Sequence, residues 1–364
     1  MKILPNRLDR VFNQQQQQFE EAALRVLRSG WYVLGKEVSN FEEEFKTYVG
    51  AKYCVGLASG LDALWIATKL LGIGIGDEVI IQANAYIACV MGITISGATP
   101  VFVEPDEYYQ IDTTKIEAAI TEKTKAIMVV HLYGQTADMA SIVKIAKDYN
   151  LFVIEDCAQS HGSKQHETVS GNFGDLGCFS FYPSKNLGAF GDAGAITCKS
   201  KELAEEFRVF RNYGSEKRYY NRVVGTNSRL DELQAALLRT RLSRLDELNQ
   251  ERQNICERYL ERIKLSLISL PKVRAGCTSV WHQFVIRVED RTRFIDYLNS
   301  HEIGTIIHYP IPPHLAGAYE YLGYKVGDFP ITEKYANTIL SLPLYNGMTL
   351  EEQEYVIKVI NNYG

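Results

Sequence analysis

Apolar residues in this chain fall alternately into short continuous runs and into stretches with helical spacing. The runs predict strands at 53–57, 78–82, 99–103, 126–131, 151–155, 176–182 and 193–197. Between the early ones, helical spacing predicts helices over 61–71, 86–96, 114–120 and 139–149. That order describes parallel strands joined by crossover helices, a mostly parallel α/β sheet covered on both faces. Ligands in such folds sit beyond the carboxyl ends of the strands, so the residues just past each strand carry the functional interest.

Outside this core, residues 12–28 predict a helix, with the glutamines at 14–18 on a solvated face. From Arg229 to Arg262 a stripe of Leu230, Leu233, Leu237, Leu245 and Leu248 predicts one long amphipathic helix. Beyond it, strands at 283–288 and 305–308 and helices at 291–299 and 350–361 predict a smaller α+β unit. The expected division is a large α/β domain, residues 1–245 with the N-terminal arm included, and a small C-terminal domain, residues 246–364.

Composition narrows the class. With 364 residues, 46% hydrophobic and 23% charged, the chain is an ordinary folded one of about two domains. A net charge of −5 argues against a general nucleic-acid binder and says nothing against a small anionic ligand. No charge occurs from Val79 to Val103, but Gln82, Asn84, Ser96, Gly97 and Pro100 interrupt the stretch, so no membrane span is expected. The seven cysteines lack metal-knuckle spacing, and the first ten residues lack a signal-peptide core. Free thiols, no metal and a cytoplasmic location are the expectation. The charge is also uneven. Residues 207–229 hold Arg208, Arg211, Lys217, Arg218, Arg222 and Arg229 against Glu216 alone, and this stretch is expected to face phosphate-bearing ligands of a neighbouring subunit.

Three segments carry candidate chemistry. In Val55–Leu64 a strand ends, Ser59-Gly60 turns, and a helix begins with Asp62 placed as in a capping box. Taken alone the segment reads as a plain helix cap, and its free N–H groups, hydroxyl and glycine would also suit a phosphate. In Val153–Gly162, Asp156 lies one step past a buried strand, where a carboxylate needs a partner. It caps a loop, or it faces a protonated pyridine nitrogen; a metal site with His161 lacks a third ligand. In Phe179–Ala195, Lys185 follows an alternating strand and precedes a glycine-rich turn. A partly desolvated lysine there loses its proton readily and forms an imine with an aldehyde. A phosphate cradle, a ring-nitrogen carboxylate and an imine-forming lysine together match the needs of pyridoxal 5'-phosphate.

With these motifs in place, the chain resembles the DegT/DnrJ/EryC1/StrS sugar aminotransferases, which have the aspartate-aminotransferase fold (PLP fold type I). The likeness runs from Gly-x-x-x-x-x-Phe-Glu at Gly35–Glu42 to Leu342-Pro343-Leu344. It implies Lys185 as the lysine that carries the cofactor, Asp156 at the ring nitrogen, and Gln159 near the ring and its hydroxyl. It also implies phosphate contacts from Ser59, Gly60 and Ser180, Tyr86 stacked on the ring, and Asn227 lent by the partner of a homodimer with shared active sites. Lys185 separates the chain from family dehydratases, which carry histidine there. The Phe181–Ala195 run and His308–Leu315 are similar to enzymes acting at the C3 ketone of a dTDP-6-deoxyhexose, fucose- or glucose-configured. The Thr-Thr-Gly-Glu-Gly-Gly type turn of the C4 group is absent. The implied reaction transfers the amino group of L-glutamate to a dTDP-linked keto-deoxysugar. Tyr182, Tyr219, His308 and Tyr309 are the candidates for substrate contacts. A C4-specific or UDP-sugar transaminase, and a non-enzymatic regulator that binds the same ligands, are the competing readings.

Overall fold

The computed structural model describes residues 1–364. Its centre is a seven-stranded sheet. The strands are β1 (Tyr53–Leu57), β2 (Glu78–Gln82), β3 (Thr99–Val103), β4 (Thr124–Val130), β5 (Phe152–Asp156), β6 (Leu176–Ser180) and β7 (Gly194–Cys198). They lie in the order β1-β7-β6-β5-β4-β2-β3. Only β7 runs antiparallel to its neighbours; every other pairing is parallel. Burial of both faces explains the continuous apolar runs. On β2, Val79 and Ile81 enter one core with Leu64, Val90 and Ile93, while Ile80 enters another with Ile127, Val129 and Ile142.

The helices of this half are α1 (Leu8–Gln14), α2 (Gln16–Ser29), α3 (Lys36–Val49), α4 (Gly60–Leu70), α5 (Ile87–Thr94), α6 (Met139–Asp148) and α7 (Lys201–Phe210). The expected helix over 12–28 is thus two helices meeting at Gln15. That glutamine is buried and donates to the carbonyl of Thr240, unlike its solvated neighbours. The expected helix at 114–120 is reduced to two short 3-10 turns, Thr113–Lys115 and Glu117–Ala119.

The long helix foreseen over 229–262 is also two, α8 (Glu232–Leu242) and α9 (Leu245–Arg262). Arg244 leaves helical geometry at φ −120°. Leu242 and Leu245 enter one hydrophobic core from either side of the break, so the leucine stripe runs through it uninterrupted. The remaining elements are β8 (Ile268–Ser269), β9 (Phe284–Val288), α10 (Arg291–Ser300), α11 (Pro330–Thr338), β10 (Ile339–Leu342) and α12 (Leu350–Asn361). The three strands form an antiparallel sheet. Tyr259, Phe284, Phe294, Val356 and Ile360 build its core together with Ile3, while Val285, Tyr335 and Ile339 pack toward the large sheet. The strand expected at 305–308 is only a bridge from Ile306 to Ser341, because the chain turns there to bring His308 and Tyr309 to a cavity.

Candidate active site

The cavity lies at the carboxyl ends of the central strands and has a volume of about 500 Å³, ample for a cofactor-sized ligand. Its wall brings together Ser59, Gly60, Tyr86, Asp156, Ser180, Tyr182, Lys185, His308 and Tyr309, residues scattered over 250 positions of sequence. Lys185 is its only lysine or arginine.

Ser59 caps α4 by accepting the N–H of Asp62 at 3.1 Å. The capping box is incomplete, since the Asp62 carboxylate turns to Trp65 Nε1 (2.9 Å) and Ser228 Oγ (2.8 Å). Gly60 is required for a different reason. A Cβ there would stand 2.4 Å from the Ser180 Cβ and 2.9 Å from its Cα. Without one, the first turn of α4, with its free N–H groups and two serine hydroxyls, closes into a small polar cup suited to a phosphate.

Asp156 ends β5 and is buried. One carboxylate oxygen accepts the Ala158 N–H at 3.0 Å and the other the Cys89 thiol at 2.8 Å. Lys185 sits on the turn after β6. Burial lowers its pKa from the ordinary lysine value, with Asp156 pulling the other way. Its turn is anchored from below. Arg241 donates to the carbonyls of Lys185 and Gly188, both at 3.3 Å, and Asn186 donates to Asn249 Oδ1 (2.8 Å) and the Val280 carbonyl (2.7 Å). The donor set fits pyridoxal phosphate: a phosphate cup, an amine of lowered basicity and a buried carboxylate open onto one space.

Tyr86 is the N-cap residue of α5, and its ring lies 4.7 Å from that of Tyr309. Gln159 is buried just behind, its amide oxygen taking the Tyr133 N–H at 2.6 Å and its nitrogen reaching the Tyr309 hydroxyl at 3.3 Å. His308 is fixed by Ser341 Oγ at 2.8 Å, and burial, aided by the charge of Lys185, pushes its pKa down to about 4. Tyr182 stands exposed at the rim.

Besides Gln159, which lies behind it, two expected residues are not part of this wall. Asn227 is exposed and pairs with Asn212 as a bridge. Tyr219 is 82% exposed on a hairpin, with the Arg218 guanidinium 5.0 Å above its ring. The basic stretch is largely committed inside the chain, contrary to expectation. Arg211 is buried against Glu42 and the Gly56 carbonyl (both 2.6 Å), Arg222 pairs with Glu206 and Glu216, Arg229 donates to Asn212, and Arg208 reaches the Cys54 carbonyl. Only Lys217 and Arg218 have no carboxylate or carbonyl partner; each lies over a neighbouring tyrosine ring.

Sequence reasoning missed Cys89, His282 and Gln283. The last two belong to the wall, and Trp281-His282-Gln283 directly before the apolar β9 was the available signal. His161 is buried beside the rings of Phe179 and Phe181. His131, Glu155 and Cys157 also gather in the interior, where Glu155 accepts the N–H groups of Gly171, Phe173 and Gly174, all at 2.8 Å, and faces His131 at 3.0 Å. That carboxylate is saturated by the backbone turn it holds. All seven cysteines are free, six of them buried, and no helix is long and apolar enough to cross a membrane.

Residues 13–361 match the DegT/DnrJ/EryC1/StrS aminotransferase family. Over 350 residues, 96% of each chain, the sequence is 53% identical to a dTDP-3-amino-3,6-dideoxy-alpha-D-galactopyranose transaminase of Aneurinibacillus thermoaerophilus. Among solved structures, DesV of S. venezuelae in complex with a ketimine intermediate superposes with a TM-score of 0.97 at 40% identity, covering 99% of this chain and 98% of the other. The PLP form of a Streptococcus pneumoniae protein described as a putative sugar aminotransferase, Spr1654, superposes with a TM-score of 0.88 at 28% identity, over 95% of each chain.

Proposed function

The chain belongs to the DegT/DnrJ/EryC1/StrS aminotransferase family, and from that premise we propose that it moves the amino group of L-glutamate to the C3 ketone of a dTDP-3-keto-6-deoxyhexose. The products are a dTDP-3-amino-3,6-dideoxyhexose and 2-oxoglutarate. The observation that carries this reading is the convergence of Lys185, Asp156 and the Ser59-Gly60-Ser180 cup on one cavity. The galactose configuration at C4 follows the relative that is 53% identical. A cytoplasmic location goes with this chemistry.

Pyridoxal phosphate, when bound, supplies an aldehyde that carries the amino group and a ring that stores the electron pair released at the substrate carbon. The chain does the rest. Ser59, Gly60 and Ser180 would hold the phosphate, Asp156 would keep a proton on the ring nitrogen, and Tyr86 would cover one face of the ring. Lys185 would hold the aldehyde, and its amine would move the proton at the α-carbon of glutamate and at C3 of the sugar. Gln159 orients Tyr309 against the ring of Tyr86, and His308 and Tyr182 contact the sugar.

Both substrates are anions, yet Lys185 is the only cation in the wall. A homodimer resolves this by lending Lys217, Arg218, Tyr219 and Asn227 to the neighbouring site. Its interface would cover Trp31, Tyr32, Tyr213 and Val224, which are exposed on segments flanking the 226–232 stretch.

The test is incubation of the PLP-loaded enzyme with L-glutamate and, separately, the dTDP-3-keto and dTDP-4-keto sugars. Amine product is expected from the 3-keto compound. Product from the 4-keto compound alone would overturn the C3 assignment, and a wild-type protein that forms no borohydride-reducible adduct with PLP would overturn the enzyme.

A further inference from the structure

Asp156 is held on both oxygens, and the two holders differ in kind. The Ala158 N–H comes from its own loop. The second donor, the Cys89 thiol at 2.8 Å, comes from α5, 67 residues away in sequence. Cys89 is 2% exposed, and burial together with the nearby Asp156 carboxylate raises its pKa well above the ordinary thiol value. The group therefore stays S–H and stays a donor. The thiol on the adjacent strand, Cys178, instead directs its hydrogen to the Ala63 carbonyl at 3.5 Å.

The place of Cys89 on its helix matters equally. Tyr86 is the N-cap of α5, and the Cys89 N–H closes the first turn on the Tyr86 carbonyl at 3.0 Å. One helical turn thus carries both the ring placed over the cavity and the thiol that grips the carboxylate below. A neutral donor leaves the negative charge of Asp156 undiminished, where a lysine or arginine at the same place would neutralise it. A carboxylate with no second donor would be a costlier anion in this buried position.

We propose that Cys89 is a positioning residue for the cofactor: its S–H fixes the Asp156 carboxylate as an oriented anion facing the ring nitrogen, so that α5 sets ring stacking and ring counter-charge together. The inference rests on the assignment of Asp156 to the pyridine nitrogen.

The test compares Cys89→Ser, which keeps a donor, with Cys89→Ala and Cys89→Val, which lack one and bracket the thiol in size. Each is reconstituted with PLP, and two quantities are read: the PLP dissociation constant and the pH midpoint of the bound cofactor's visible absorbance. The alanine and valine variants are expected to bind PLP about tenfold more weakly. Their midpoint is expected to rise, because a more basic Asp156 draws the ring proton toward itself. The serine variant is expected to stay within about twofold of wild type. Wild-type behaviour in all three variants, or equal losses in all three, would overturn the role of the thiol hydrogen. Failure of the wild-type protein to bind PLP would instead overturn the cofactor reading itself.

Discussion

The carboxylate of Glu232 accepts the N–H of Gly35 at 2.7 Å, joining residues 197 apart in sequence. It also takes the N–H groups of Glu37 and Val38, both at 2.9 Å, and so caps α3 with a buried charge at the positive end of the helix. A Cβ on Gly35 would stand 2.5 Å from the Trp31 ring and 2.7 Å from this carboxylate. Glu232→Ala is expected to lower the unfolding free energy by about 3 kcal/mol, since three donors lose an ionised partner at once. Urea titration measures it. A loss below about 1 kcal/mol would mean that water replaces the cap.

Gly60→Ala places a methyl group against Ser180, on the floor of the phosphate cup. Cofactor affinity is expected to fall by more than about tenfold, with the fold retained, because the contact separates α4 from β6 at the cup. Equilibrium dialysis against PLP, alongside circular dichroism, distinguishes the two effects. Unchanged affinity would place the phosphate elsewhere.

Arg211 and Arg218 are seven residues apart and should respond oppositely to substitution. Arg211→Met leaves the half-buried Glu42 without its ion-pair partner, with only the Gly56 N–H still donating to it, and is expected to cost about 2 kcal/mol of stability while leaving the KM for nucleotide sugar unchanged. Arg218→Glu should leave stability alone and raise that KM severalfold. An unchanged KM for Arg218→Glu would make the hairpin a solvated face.

Acid sensitivity has a defined window. His161 is fully buried, and burial, with the charge of Lys185, pushes its pKa down to about 3. In the unfolded chain a histidine titrates near 6.5. Above that pH neither state binds the proton, so stability is level. As pH falls from 6.5 toward about 3, the unfolded chain gains a proton that the native chain refuses, removing about 1.4 kcal/mol per pH unit. His308 acts in the same direction down to about 4. Urea midpoints between pH 7.5 and 5 should fall accordingly, and His161→Leu should flatten the slope. An identical slope in the variant would assign the effect to other groups.

The central strands were legible in the sequence because burial on both faces leaves a continuous apolar run, as in Val79-Ile80-Ile81. Interruptions that apolar patterning does not register were not legible. Leu242 and Leu245 continue one stripe across the break between α8 and α9, and Gln15 looks like its exposed neighbours until its contact with Thr240 is seen. In the candidate site, Asp156 is the last residue of a strand and Ser59 and Lys185 stand just past strands, where the fold makes positions predictable. Cys89 and His282 reach the site through tertiary packing alone, one inside a helix and the other ahead of a strand. The basic stretch misled for a related reason. A net charge counts cations without showing that Glu42 and Glu206, outside the stretch, have already engaged two of them.

The antiparallel β7 lies between β1 and β6, with Gly194 packed on the carbonyl of Ser59. The phosphate cup is therefore unfinished while the strand that wedges its two walls is still missing, although Ser59 itself emerges early from the ribosome. Pairing at this sequence separation is slow compared with local helix formation. On refolding from urea in the presence of PLP, ellipticity should return first and cofactor absorbance later, making the colour of the bound cofactor a clock for the last step of assembly.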